Sequence, residues 1–327
     1  MTKNSRESSV KRRRKEMIKI LQGNCLDKLK ELPDQSINTC ITSPPYWGLR
    51  DYGEEKQLGM EDTPEEFVNN LVEVFREVKR VLRDDGTVWL NLGDTYSATR
   101  WSNTPSTTGI SQSHSDIVLQ KKTKLPDKNL VGIPWRVAFA LQQDGWYLRQ
   151  DIIWHKPNPM PESVKDRCTK AHEYIFLLSK SPKYYFDNEA IKEDSKYHGK
   201  DKRSDKGNIR YEGKRTSNKD SKAQQSFVTI NPKRNKRSVW TVTTKPFKGA
   251  HFATFPMDLI EPCVLAGCPE NGTVLDPFGG SGTTGIVASN HNRKAVLIEL
   301  NAEYIEIAKQ RIQDQGGLFT DLEILGG

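Results

Sequence analysis

Short apolar runs along the chain change their period several times, and each change marks an element. Met17 to Leu21 reads as a strand, and Leu26 to Leu32 follows at helical spacing until Pro33-Asp34 stops it. Ile37 to Thr42 reads as a second strand, ended by Ser43-Pro44-Pro45. Two adjacent prolines cannot donate to a ladder, so the chain must leave the sheet there. Thr63-Pro64-Glu65-Glu66 offers a cap, a first-turn proline and early acids. Phe67, Leu71, Val74, Phe75, Val78 and Leu82 then recur at helical spacing, and Asp84-Asp85-Gly86 is expected to end that helix. Thr87 to Leu92 is a buried-type strand broken by Gly93-Asp94. Ser97 to Asn129 is polar and reads as a long loop. Pro134 to Gln143 reads as a helix, with Tyr147 to Trp154 and Tyr174 to Ser179 as strands. Beyond a polar stretch, Met257 to Ala266 is expected as a helix and Thr273 to Leu275 as a strand. A helix over Thr283 to Asn290, a strand over Ala295 to Glu299 and a helix over Ala302 to Gln313 follow. Strands that alternate with helices in this way predict a mostly parallel, doubly wound α/β sheet.

Composition changes this picture in two places. Among 327 residues hydrophobic types make up only 35%, so much of the chain must lie outside a core. Residues 1–16 carry Lys11-Arg12-Arg13-Arg14-Lys15 and read as a basic flexible arm. Residues 187–238 are rich in Lys, Arg, Ser and Asn and cannot hold a core alone. The expected organisation is therefore the arm, a first half over 17–186, an insert over 187–238, a second half over 239–315 and a tail over 316–327. The formal net charge of +8 suits a polyanionic partner. No apolar run reaches membrane-spanning length, and the basic N-terminus has no apolar stretch behind it. Five scattered cysteines without zinc spacing imply free thiols, no metal site and a cytoplasmic setting.

Two turns carry chemistry. The first is Asp276-Pro277-Phe278-Gly279-Gly280-Ser281-Gly282-Thr283-Thr284, set between a strand and a helix. Such a turn lets backbone approach a nucleotide-like ligand closely, although a plain loop of an α/β protein can read the same way. Its spacing is not that of a dinucleotide turn, and it has no lysine for a phosphate. Asp276 at the strand tip suits a ligand with a cationic or zwitterionic end, as S-adenosylmethionine has. Glu299, about twenty residues on and at the end of the next strand, can accept from both ribose hydroxyls.

The second turn is Thr42-Ser43-Pro44-Pro45-Tyr46-Trp47. Its prolines leave carbonyls without amide donors, Ser43 adds a hydroxyl and Tyr46 a flat face. An exocyclic amine needs acceptors for its N–H groups and a ring to stack on. A Pro-Pro loop packed on core aromatics is the structural alternative.

Together these segments resemble the DNA amino-methyltransferases. Ser43-Pro44-Pro45-Tyr46 is similar to their target-amine motif, and Asp276 to Gly282 is similar to their cofactor motif. The cofactor motif follows the amine motif in the chain, the permuted order of the β class. Further segments match residue by residue. His251 to Pro256, with Phe252 and Thr254, resembles the segment before the cofactor motif. Glu299 matches the acid after it. Gly23-Asn24-Cys25-Leu26-Asp27 resembles a turn that usually reads Gly-Asp-Cys, which leaves the adenine-side contact open between Asn24 and Asp27.

The resemblance implies a Rossmann-like, circularly permuted methyltransferase fold with S-adenosylmethionine as cofactor and no metal. It implies base flipping, with Ser43, Pro44, Pro45 and Tyr46 at the target base. The cofactor would lie on Asp276, Phe278, Gly279, Gly280, Ser281, Gly282, Thr283 and Glu299. Ile153 to Pro159 resembles the region that lines the base pocket, so Trp154 and Asn158 are candidate contacts. Trp47 stands open between pocket wall and core, Asp94 between pocket and loop cap, and His172-Glu173 reads as structural. Residues 187–238 occupy the place of a target-recognition insert, with basic clusters at Lys202-Arg203, Lys214-Arg215 and 233–237. The implied partner is double-stranded DNA read sequence-specifically, with no membrane. A homodimer and a cognate restriction endonuclease are compatible with the family.

Ser before Pro-Pro favours N4 of cytosine in this family, with N6 of adenine as the alternative. Cytosine C5 chemistry would need a Pro-Cys nucleophile, and Pro262-Cys263 lies in an expected helix instead. An inactive DNA-binding protein of this fold should have lost Asp276, Ser43 or Tyr46. An RNA or protein methyltransferase is less suited to Ser43 and the large insert, and a nicotinamide oxidoreductase lacks its glycine spacing.

Overall fold

The computed structural model describes residues 16–48, 57–97, 125–195, 232–244, 255–315 and 320–326. In chain order the elements begin with β1 (Glu16–Gln22), α1 (Cys25–Lys30), β2 (Ile37–Thr42), α2 (Pro64–Val81), β3 (Leu82–Leu92) and α3 (Ile133–Gln143). Next come β4 (Tyr147–His155), β5 (His172–Ser179), a 3-10 turn at Glu189–Ile191, β6 (Glu193–Asp194), β7 (Lys233–Arg234) and β8 (Val239–Thr241). The last are α4 (Met257–Gly267), β9 (Thr273–Asp276), α5 (Thr283–Asn290), β10 (Lys294–Glu299), α6 (Ala302–Gln315) and β11 (Thr320–Leu325). One unit runs up to Asp187 and resumes at Ser238; the other is Asn188–Arg237.

The larger unit is built on one nine-stranded sheet in the order β11-β1-β10-β9-β2-β3-β5-β4-β8. Only β5 runs against its neighbours β3 and β4; the other pairings are parallel. The expected mostly parallel α/β sheet is therefore present. It is covered on both faces. Val88, Leu90 and Leu92 of β3 join the core built with α2 and α3. Trp89, between them, points the other way, where a methyl group on Gly267 of α4 would lie 2.7 Å from its indole nitrogen. Helix α2 shows why these segments form where they do. The Thr63 hydroxyl accepts from the Glu66 amide at 3.2 Å, Pro64 opens the first turn, and Phe67, Leu71, Phe75 and Val78 are fully buried.

Three boundaries differ from the sequence expectation. Helix α2 ends at Val81, and β3 begins at Leu82 rather than Thr87. Ile37 pairs with Leu82 and Thr39 with Thr87, so Arg83 to Gly86 bulge outward inside the strand. Asp84-Asp85-Gly86 is thus an excursion held by Lys180 and Tyr185 amides, not the end of a helix. The segment 316–327, expected as a tail, contains β11, an edge strand parallel to β1. Val239–Thr241 adds β8 beside β4, where no strand was expected. Among the described residues no helix is long and apolar enough to cross a membrane.

The smaller unit pairs β6 with β7. Glu193 accepts from Arg234 at 2.9 Å and from Arg237 at 2.7 Å, so these two arginines of the 233–237 cluster are partnered inside their own unit. Lys202-Arg203 and Lys214-Arg215, like the basic arm apart from Glu16, lie outside the described residues.

Candidate active site

Because their pairings are parallel, β1, β10, β9, β2 and β3 end along one edge of the sheet. The antiparallel β5 starts at that edge, where β4 ends. Asp276 closes β9 and is buried. One carboxylate oxygen accepts from the Thr42 hydroxyl at 2.6 Å and the Phe278 amide at 3.1 Å, and the other from the Thr284 hydroxyl at 2.6 Å. Thr42 is the last residue of β2, so this carboxylate joins the glycine turn to the proline turn across 234 positions of sequence. Burial pushes the Asp276 pKa up to about 6 against the pull of these donors. The cationic or zwitterionic ligand end expected at Asp276 would meet a carboxylate that already accepts from three internal donors.

Glu299 ends β10 at half-burial. Its two oxygens accept from the Gly280 amide at 2.8 Å and the Asn301 amide at 2.9 Å, and burial raises its pKa. Gly280 has φ +48, and among the described residues a methyl group there would meet nothing nearer than the Phe278 carbonyl at 3.9 Å. That open space, next to a carboxylate with lone pairs to offer and the half-buried Phe278 ring, fits an adenosyl group. Gly279 lies tight against β10, its amide on the Ile298 carbonyl at 2.8 Å, and Gly282 caps α5. The Ser281 and Thr283 hydroxyls turn toward α6. Arg311 donates to both of them and, at 2.6 Å, to the Ser281 carbonyl.

In the proline turn Pro44 is buried, while Ser43, Pro45 and Tyr46 are half-buried. The Tyr46 hydroxyl lies 2.7 Å from a Glu173 carboxylate oxygen and 3.4 Å from the Asn91 carbonyl oxygen. Ser43 donates to the Tyr46 oxygen at 3.5 Å. Asn91 donates to the same Glu173 oxygen at 3.2 Å, and Lys156 is ion-paired with the other. The Tyr46 ring lies against Gly93, where a methyl group would come within 2.5 Å of it. Any side chain at Gly93 must displace that ring.

The remaining candidates separate. Asn24 caps α1 by accepting from the Leu26 amide at 2.9 Å, and Asp27 stands exposed in the first turn. Gly23 ties this turn to the Glu299 carbonyl at 2.9 Å. Trp47 is buried in the core and donates to the Glu61 carbonyl. Trp154 is buried and donates to the Val242 carbonyl, while Asn158 pins Thr244 by two backbone bonds. Asp94 caps α3, accepting from the Gly132 and Ile133 amides at 2.9 and 3.0 Å. Cys263 is packed inside α4. Phe252 and Thr254 lie outside the described residues. Sequence reasoning gave Asn91 no role, named Gly93 only as a strand break, held Lys156 only within the Ile153 to Pro159 segment, and read Glu173 as structural. Asn91, Gly93 and Glu173 belong to no spaced motif that could have marked them.

Residues 37–310 match a family model described as DNA methylase. M.Cfr9I, a Type II methyltransferase of Citrobacter freundii, is 47% identical over 297 residues, covering 90% of this chain and 88% of that protein. M.SmaI, a Type II methyltransferase of Serratia marcescens, is 45% identical and covers 90% of each. TTHA0409 of Thermus thermophilus, solved in complex with S-adenosyl-L-methionine, shares the fold with a TM-score of 0.59 at 23% identity, covering 95% of this chain and 98% of that one. The family model spans both turns and the sheet edge between them, and with the identity to M.Cfr9I and M.SmaI it shows that the chain belongs to the DNA methylase family of the N6/N4 type.

Proposed function

We propose that this DNA amino-methyltransferase modifies N4 of cytosine within a specific duplex sequence. Its cofactor is S-adenosyl-L-methionine. The observation that carries the reading is the Thr42–Asp276 hydrogen bond, because it holds an amine-binding turn beside a turn with room for an adenosyl group.

When bound, the cofactor supplies an electrophilic methyl group on a sulfonium. Glu299 and Gly280 would hold its ribose, and Phe278 would offer a ring to its adenine. A base inside a duplex hides its amino group, so it must leave the stack, which costs a few kcal/mol. Tyr46 receives the flipped base on its face. The Ser43 oxygen and the Pro44 carbonyl accept the amine N–H groups and turn its lone pair toward the donor. Positioning and electrostatic stabilisation then account for the acceleration. Ser43, in place of an acidic or amide residue, favours cytosine N4 over adenine N6.

Methyl transfer to unmodified genomic DNA, read as nucleosides by mass spectrometry, tests this. N4-methylcytosine is expected. N6-methyladenine would keep the activity and overturn the base. No methylated nucleoside from protein that binds cofactor would overturn the DNA reading.

A further inference from the structure

Tyr46 and Ser43 each carry one hydroxyl proton, and the direction in which each points decides what the proline turn offers a base. Glu173 fixes that direction. A carboxylate can only accept. At 2.7 Å it takes the Tyr46 proton in preference to Asn91 at 3.4 Å. Asn91 cannot compete, because its amide nitrogen is turned to Glu173 at 3.2 Å and to the Tyr174 carbonyl at 3.1 Å, leaving its oxygen as a distant second acceptor. With its proton committed, the Tyr46 oxygen presents a lone pair, and Ser43 donates to it at 3.5 Å. While that long contact is made, Ser43 turns its proton toward Tyr46 and leaves its lone pairs for an incoming amine.

We propose that Glu173 is a positioning residue that sets the hydrogen-bond polarity of the chain Ser43 to Tyr46 to Glu173, so that the turn accepts from an amino group and disfavours a ring carbonyl. The inference rests on the proposed roles of Ser43 and Tyr46 at the target amine. Lys156 holds the far carboxylate oxygen as an ion pair, with side chains only 14% exposed for Glu173 and 18% for Lys156. The Lys156 ammonium also lies 4.2 Å from the centre of the Trp154 ring, which fixes it from the other side. The same geometry orients the Tyr46 ring before any base arrives, since its hydroxyl is tied at one end and its edge rests on Gly93.

Glu173→Gln is nearly isosteric, yet its amide can present N–H to Tyr46. The chain can then reverse, with Tyr46 donating to Ser43 and Ser43 donating into the pocket, where an amine finds a mismatched partner. The experiment is a double-mutant cycle of Glu173→Gln and Tyr46→Phe, with kcat, KM for DNA and cofactor Kd measured for each protein. Glu173→Gln should lower kcat by about tenfold or more, the effect of a lost charge-assisted hydrogen bond, with cofactor Kd unchanged. In the Tyr46→Phe background, where the relay hydroxyl is gone, the same substitution should add little. Equal loss in both backgrounds would overturn the proposal, because it would place the effect in general stability. So would wild-type kcat in Glu173→Gln, or a loss seen only in cofactor Kd. Lys156 left without its partner could destabilise the fold; Lys156→Met with Glu173→Gln removes both charges and should repeat the kcat loss if polarity is the cause. If the wild type proves to methylate adenine, the cycle still reads the coupling, so failure of the base reading and failure of this inference remain separate.

Discussion

Asp276 shows at the scale of one residue how burial and hydrogen bonding oppose each other. Its pKa is raised from an ordinary 3.8 to about 6, so the folded chain keeps a proton that the unfolded chain gives up. The resulting stabilisation is fully present below 3.8 and is lost as pH rises through about 6, amounting to at most about 3 kcal/mol. Asp276→Asn carries no such proton. Urea unfolding of both proteins across that window should show wild type losing ground to the variant as pH rises; a constant difference would mean that the carboxylate titrates normally. Tyr46→Ala removes the stacking face and leaves the glycine turn untouched, so most turnover should disappear while cofactor Kd holds, as calorimetry can show. A parallel fall in cofactor affinity would place Tyr46 at the other turn. Both residues were legible in the sequence because each belongs to a spaced motif at a strand tip. Glu173 was not. A single acid at the start of a strand has no signature until the antiparallel β5 brings it to the Tyr46 hydroxyl.

Elements were legible where their period was strong, as in α2, whose apolar face and N-cap name its start. They were less legible where pairing overrides local signals. Asp84-Asp85-Gly86 reads as a helix stop, yet the ladder with β2 resumes around it as a bulge within β3. Residues 316–327 carry Leu322, Ile324 and Leu325 between two glycine pairs, a run too short to be placed until pairing with β1 gives β11 its position. The glycine turn depends on an element in the same way. It is held from outside by α6, whose Arg311 reaches Ser281 and Thr283. Burial lowers the Arg311 pKa, so the guanidinium sits in a poorly solvated place and its bonds weigh more. Arg311→Met keeps much of the packing and removes those bonds, each worth about 1.5–3 kcal/mol where a charge is involved. Cofactor affinity should fall by about tenfold or more with kcat at saturating cofactor nearly retained. Unchanged affinity would show that the turn holds its shape without α6.

At the scale of the whole molecule, the two candidate turns and the basic segment 188–237 belong to different units of one chain. Every described group at the two turns, from Ser43 and Glu173 to Asp276 and Glu299, belongs to the larger unit, and none belongs to Asn188–Arg237. The smaller unit has a short ladder and a basic composition, and its Glu193 binds Arg234 and Arg237, so those arginines shape the unit before they can serve any ligand. If this unit reads base edges, as its basic composition suggests, then target sequence and target atom should be separable. Exchanging residues 188–237 for the corresponding segment of a relative with another target should move methylation to that relative's sequence. The modified nucleoside should stay the same, because Ser43, Pro44 and Tyr46 are untouched. Sequencing of methylated positions and nucleoside mass spectrometry on one DNA sample give both answers. A changed nucleoside with an unchanged target would reverse the assignment, placing base choice in the smaller unit and sequence reading in the larger.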